Sequence, residues 1–191
     1  MEFKDYFLEA YRDLGRLTLD QLQKGHKITN SDDMVEVSGR VFYNAISKIK
    51  ENDLAKGDKS KGLDTLTVYK PNEYNKMRCY LGVNNSSGYA LKNGELVSVF
   101  STQKSSSQAI MKSAIENGAN QLDCFAIRNE SGIISGDLYR LYSKYGFKID
   151  KSLNSGKQGE PYAIVNGVSD YVDDNGNVHP DDPRVVIFMK K

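Results

Sequence analysis

The stretch from Glu95 to Lys148, ELVSVFSTQKSSSQAIMKSAIENGANQLDCFAIRNESGIISGDLYRLYSKYGFK, constrains the fold most, because its apolar residues change period repeatedly within a short length. ELVSVFS reads as a strand after the turn pair Asn93-Gly94, the strongest hairpin signal in the chain. Ile110, Met111, Ala114 and Ile115 share one face of a helix from about Ser106 to Asn117, which Gly118 stops. QLDCFAI is a continuous apolar run with one acid, the pattern of a central strand covered on both faces. Leu138, Leu141, Tyr142 and Tyr145 then share the face of a further helix, with Ser135 or Asp137 as its cap and Gly146 as its terminator. Strand, polar loop, helix, strand and helix together suffice for one ligand-binding layer.

The remaining segments arrange themselves around that layer. Phe3, Phe7, Ala10, Leu14 and Leu17 recur at helical spacing and predict an amphipathic helix over Phe3–Gln23, either packed on its own domain or used for dimerisation. A short strand over Asp33–Val37 leads through Gly39 into a helix whose stripe is Val41, Phe42, Ala45, Ile46 and Ile49. NDLAKGDKSKG, from Asn52, has no apolar pattern and reads as a loop, and TLTVY over Thr65–Tyr69 reads as a short strand closed by Pro71. MRCYLGV, GYALK and ELVSVFS form an antiparallel meander. Beyond Gly146, Phe147–Ile149 starts a strand, DDNGN is a turn without calcium-loop spacing, and RVVIFMK is a last strand inserted into the sheet. The expected organisation is a helical extension over residues 1–30 and one globular unit over 31–191.

Composition narrows the functional classes. A formal charge of +1 lacks the basic footprint of a nucleic-acid binder, and the charged N-terminal stretch has no apolar run long enough for a signal peptide or a membrane span. A cytoplasmic protein is expected. Cys79 and Cys124 are the only cysteines and His26 and His179 the only histidines, so free buried thiols and no structural metal are expected.

The loop Gln103, Lys104, Ser105, Ser106, Ser107 and Gln108 lies between a predicted strand and a predicted helix, where free backbone N–H groups and the helix dipole attract a phosphate. Ser105 and Gln108 also have capping-box spacing, which accounts for the same polar residues without a ligand.

Strand, loop, helix ending in Gly-Ala, strand, asparagine and then a helix carrying LYSKYGF is similar to the Gcn5-related N-acetyltransferase (GNAT) superfamily, and Gly94 to Phe100, Gly118 to Phe125 and Val185 to Met189 match, in order, segments of a GNAT-like domain of phages and mobile elements. Over about residues 75–191 the chain most resembles that domain. The resemblance implies an α/β fold with a mixed, mostly antiparallel sheet flanked by helices. It also implies acetyl-CoA as donor, with the pantetheine arm against Val99, Phe100 and nearby backbone. Gln103 matches the first position of the family's Q/R-x-x-G-x-G/A pyrophosphate loop, while its two small positions fall on Ser106 and Gln108. Asn129 matches a cofactor-contacting residue, and Tyr142 the tyrosine that protonates the departing thiolate, a role suited to a group titrating near 10.

The expected activity is N-acetyl transfer to an amine of a protein or small molecule, in the host cytoplasm if the chain is phage-encoded. Asp123, Glu95 and His179 are the candidates to take the proton from the amine. The alternative is a catalytically degenerate GNAT-fold binding protein, for example an inhibitor of a host defence enzyme, which the glycine-free loop favours.

Overall fold

A computed structural model describes residues 34–56, 66–82, 85–102, 106–155, 163–172 and 177–191. The expected helix over Phe3–Gln23, the first four residues (173–176) of the DDNGN turn and the loop residues Gln103, Lys104 and Ser105 lie outside the described residues. The architecture is α/β, a mixed sheet in which the strand pairs are antiparallel except for one parallel pair, flanked by helices. Its residues divide into two compact units, Met1–Asn93 with Ser98–Ala114, and Gly94–Val97 with Ile115–Lys191.

In the first unit β1 (Met34–Val37) pairs antiparallel with β2 (Arg78–Gly82), which pairs antiparallel with β3 (Ser87–Lys92). β3 turns at Asn93 and Gly94, whose φ angles of 53° and 85° suit the tight primed turn that Asn-Gly favours, and β4 (Glu95–Ser101) follows beside it. Ser38 caps α1 (Gly39–Lys56), accepting the Val41 N–H at 3.3 Å on its Oγ. Phe42 and Ile46 of α1 are fully buried with Tyr74 of α2 (Pro71–Tyr74), and the Phe42 and Tyr74 rings meet edge-on at 5.0 Å. α3 (Ser107–Glu116) buries Ile110, Met111 and Ala114, the face its spacing predicts.

In the second unit β5 (Gln121–Arg128) lies between two partners. β11 (Arg184–Lys190) pairs antiparallel along it from Gln121↔Lys190 to Ile127↔Arg184. The start of β4 pairs parallel on the other edge, at Glu95↔Gln121 and Leu96↔Leu122. The outer strands are β9 (Val168–Val172) on β11, β10 (Val178–His179) and β8 (Ile164–Val165) on β9, β7 (Lys148–Ile149) on β11, and β6 (Ile134–Ser135) on β5. RVVIFMK is therefore an inserted strand, as its apolar run predicts. α4 (Asp137–Lys144) packs on β5, with Leu122, Cys124, Ala126, Tyr142 and Phe147 buried.

Four local expectations are corrected. The helix α1 continues through Lys56 where polar composition predicted a loop from Asn52, because Leu54, Ala55 and Lys56 are good helix formers and the first breaker is Gly57. No strand forms over residues 66–69: the Leu66 carbonyl accepts from Lys50 Nζ at 2.7 Å, the Thr67 carbonyl from Ser98 Oγ at 3.1 Å, and Tyr69 N–H donates to Tyr74 Oη at 3.2 Å, so side chains take the groups a ladder would use. β5 is covered on one face only, with Gln121, Asp123 and Ile127 exposed. The α4 N-cap is Gly136, since Ser135 belongs to β6 and Asp137 opens the helix.

Candidate active site

Two local features have the makings of chemistry, one in each unit. In the first, Ser98 stands within β4 at a φ of 51°, the left-handed region that costs a residue with a Cβ about 1–2 kcal/mol. Leu96, Val97 and Ser98 are consecutively buried, so inward-outward alternation breaks at this residue, as at a β-bulge. Its hydroxyl lies 2.8 Å from Tyr74 Oη and donates to the Thr67 carbonyl. Burial raises the Tyr74 phenol above its ordinary value, with the Ser98 hydrogen bond acting the other way.

In the second unit the edge of β5 that faces away from β11 is partnered at its two ends only. β4 takes Gln121 and Leu122, and β6 takes Ile127 and Arg128 through Ser135 and Ile134. Between them, Asp123–Ala126 have no strand partner on that edge among the described residues, leaving main-chain groups available to an extended ligand. Tyr142 of α4 packs against this stretch. It is only 5% exposed, its ring meets Phe147 at 6.4 Å, and its hydroxyl has no hydrogen-bond partner among the described residues. Burial, assisted by Cys124 and Asp123, raises the phenol well above 10.0, so it is protonated at neutral pH.

Asp123 is on the opposite face of β5 from Cys124, by strand alternation, and directly opposite Phe188 of β11. Its side chain reaches solvent, yet the surrounding protein raises its carboxyl, an effect its own backbone N–H opposes. Both cysteines are free and buried, as expected, and burial pushes each thiol up to about 12, so neither is a nucleophile at neutral pH.

The other predicted site residues are dispersed. Val99 is half-buried on β4, and Phe100 is 2% exposed with its ring against Phe42 at 5.8 Å, so the Phe100 side chain is a core group. Ser106 is buried and its carbonyl accepts the Ile110 N–H, while Ser107 and Gln108 open α3. Asn129 uses its side-chain oxygen to accept the Ile133 N–H at 2.8 Å, closing the turn between β5 and β6. Glu95 begins β4, and His179, exposed on β10, tilts against the Tyr171 ring at 5.7 Å. Sequence reasoning did not single out Ser98 or Tyr74. The one available signal was the serine interrupting the apolar run of ELVSVF.

Taken together, these features define an α/β protein with a mixed sheet and a buried, protonated phenol at an open strand edge. No protein-family model, no curated protein and no solved structure matches the chain. Among the described residues no group of three or more metal-ligating side chains occurs, and no helix is long and apolar enough to cross a membrane.

Proposed function

We propose that the chain is an acyl-CoA-dependent N-acyltransferase that moves an acetyl group from acetyl-CoA to an amine of a protein or small molecule. One observation carries the reading: Tyr142, a protonated phenol with no hydrogen-bond partner among the described residues, packs behind the stretch of β5 whose edge has no strand partner among those residues. The resemblance of LYSKYGF and its neighbouring segments to the GNAT superfamily supports the same assignment, with a phage or mobile element as the setting and the host cytoplasm as the location.

In this reaction a C–N bond forms between the amine and the acetyl carbon, the C–S bond breaks, nitrogen loses a proton and sulfur gains one. Tyr142 supplies the proton for the sulfur, since burial keeps it protonated. Asp123 takes the proton from the amine, its raised carboxyl being a stronger base than an ordinary surface aspartate. Orientation and the main-chain N–H of Val99 supply the remaining acceleration. No covalent enzyme intermediate is needed. Gln103, Lys104, Ser105, Ser106, Ser107 and Gln108 are assigned to the pyrophosphate, and Asn129 to the cofactor.

A second reading, a GNAT-fold binding protein that has lost CoA, draws support from the buried Ser106 and from the side chain of Gln108 at the first turn of α3. The two separate on ligand binding. An acyltransferase melts at a higher temperature with saturating acetyl-CoA and retains CoA in native mass spectrometry. Failure of both overturns the enzyme reading.

A further inference from the structure

The hydrogen bonds around Ser98 have a single direction. Tyr69 N–H donates to Tyr74 Oη at 3.2 Å, and Ser98 Oγ donates to the Thr67 carbonyl at 3.1 Å. The 2.8 Å contact between the two hydroxyls must therefore run from Tyr74 O–H to Ser98 Oγ. Each hydroxyl donates once and accepts once, and the relay leaves and re-enters the chain within residues 67–69. That segment forms no strand, so the relay ties an irregular stretch of backbone to the one residue of β4 held in the left-handed region. The Tyr74 ring is fixed independently, edge-on to Phe42 at 5.0 Å and to Tyr69 at 5.7 Å.

We propose that Tyr74 and Ser98 are positioning residues for acyl transfer. Neither touches donor or acceptor. The relay holds Ser98 at a φ that serine rarely adopts, and this sets the direction of the Val99 N–H, which by strand alternation points away from the β3 side that Thr102 N–H bonds. The inference rests on the acyltransferase reading, in which that N–H group meets the donor.

Tyr74→Phe removes the hydroxyl and keeps both ring contacts. Removing the hydroxyl breaks both of its hydrogen bonds and raises KM for acetyl-CoA about tenfold. Ser98→Gly placed in the Tyr74→Phe background restores KM to within about twofold of wild type, because glycine occupies positive φ unaided. Ser98→Ala in the same background does not. A residue that merely stabilised the fold would lower the melting temperature without this glycine-specific rescue. Unchanged KM in Tyr74→Phe, or no rescue by glycine in a folded double variant, overturns the proposal. Should Tyr74→Phe fail to fold, Ser98→Ala alone breaks the relay and must raise KM likewise.

If wild-type protein does not bind acetyl-CoA, the acyltransferase reading and the positioning role fall together. The relay itself is then judged by amide chemical shifts. Those of Val99 and Phe100 must move in Tyr74→Phe and return in the double variant with glycine, and static shifts would show that the relay does not set the bulge.

Discussion

Tyr142, which is buried, and Asp123, which reaches solvent but is partly desolvated by the protein around it, are both shifted upward, with opposite consequences. A phenol raised above 10.0 stays protonated across the physiological range and is an acid throughout it. Tyr142→Phe keeps the ring against Phe147 and should lower turnover about a hundredfold, the lower end for a general acid, with acetyl-CoA affinity unchanged in a binding titration. For Asp123, a folded-state pKa above 3.8 means the native protein binds the proton more tightly than the unfolded chain. Its stabilising contribution is complete below 3.8 and is lost as pH rises through the folded value, so ionised Asp123 weakens the fold at neutral pH, by a small amount because the side chain is exposed and solvent screens it. Asp123→Asn should therefore resist denaturant better than wild type at pH 7, with the difference shrinking towards pH 4, while turnover falls. The burial of Tyr142 on a helix was legible because it lies on a periodic apolar face within LYSKYGF. Ser98 was not, because its φ depends on hydrogen bonds to residues far away in sequence.

Among the elements, those with clear periodicity formed where their residues predicted: the meander of β2, β3 and β4, the helices α3 and α4, and the inserted strand β11. Within the expected strand over Thr65–Tyr69, residues 66–69 form no strand despite strong β propensity, since Tyr74, Ser98 and Lys50 side chains satisfied the backbone first. α2 was not foreseen. Its packing depends on Gly39 of α1, where an added Cβ would lie 2.4 Å from the Tyr74 carbonyl carbon. Because backbone cannot yield as a flexible side chain does, Gly39→Ala should cost about 3 kcal/mol, read as a lower denaturant midpoint. Gly88 makes a related close approach, its missing Cβ leaving room for the Phe100 ring and Leu81.

For the molecule as a whole, near-balanced charge predicts that unspecific duplex DNA is not retained at physiological salt, which a gel-shift titration checks. Acetyl-CoA at about 100 times its dissociation constant should stabilise the protein by about 2.7 kcal/mol, and the gain should grow with the logarithm of ligand concentration. Composition and apolar period by themselves determined the α/β class, the order of the main strands and helices, and the burial of both cysteines, because these follow from local spacing and the removal of apolar groups from water. Only the tertiary structure decided that β5 is covered on one face, with no strand partner among the described residues on its edge at Asp123–Ala126, that Tyr142 lies against it, and that Ser98 is held at positive φ. Each of these depends on which distant residues meet, and strand partners and hydrogen-bond partners are chosen in space and not by neighbours along the chain.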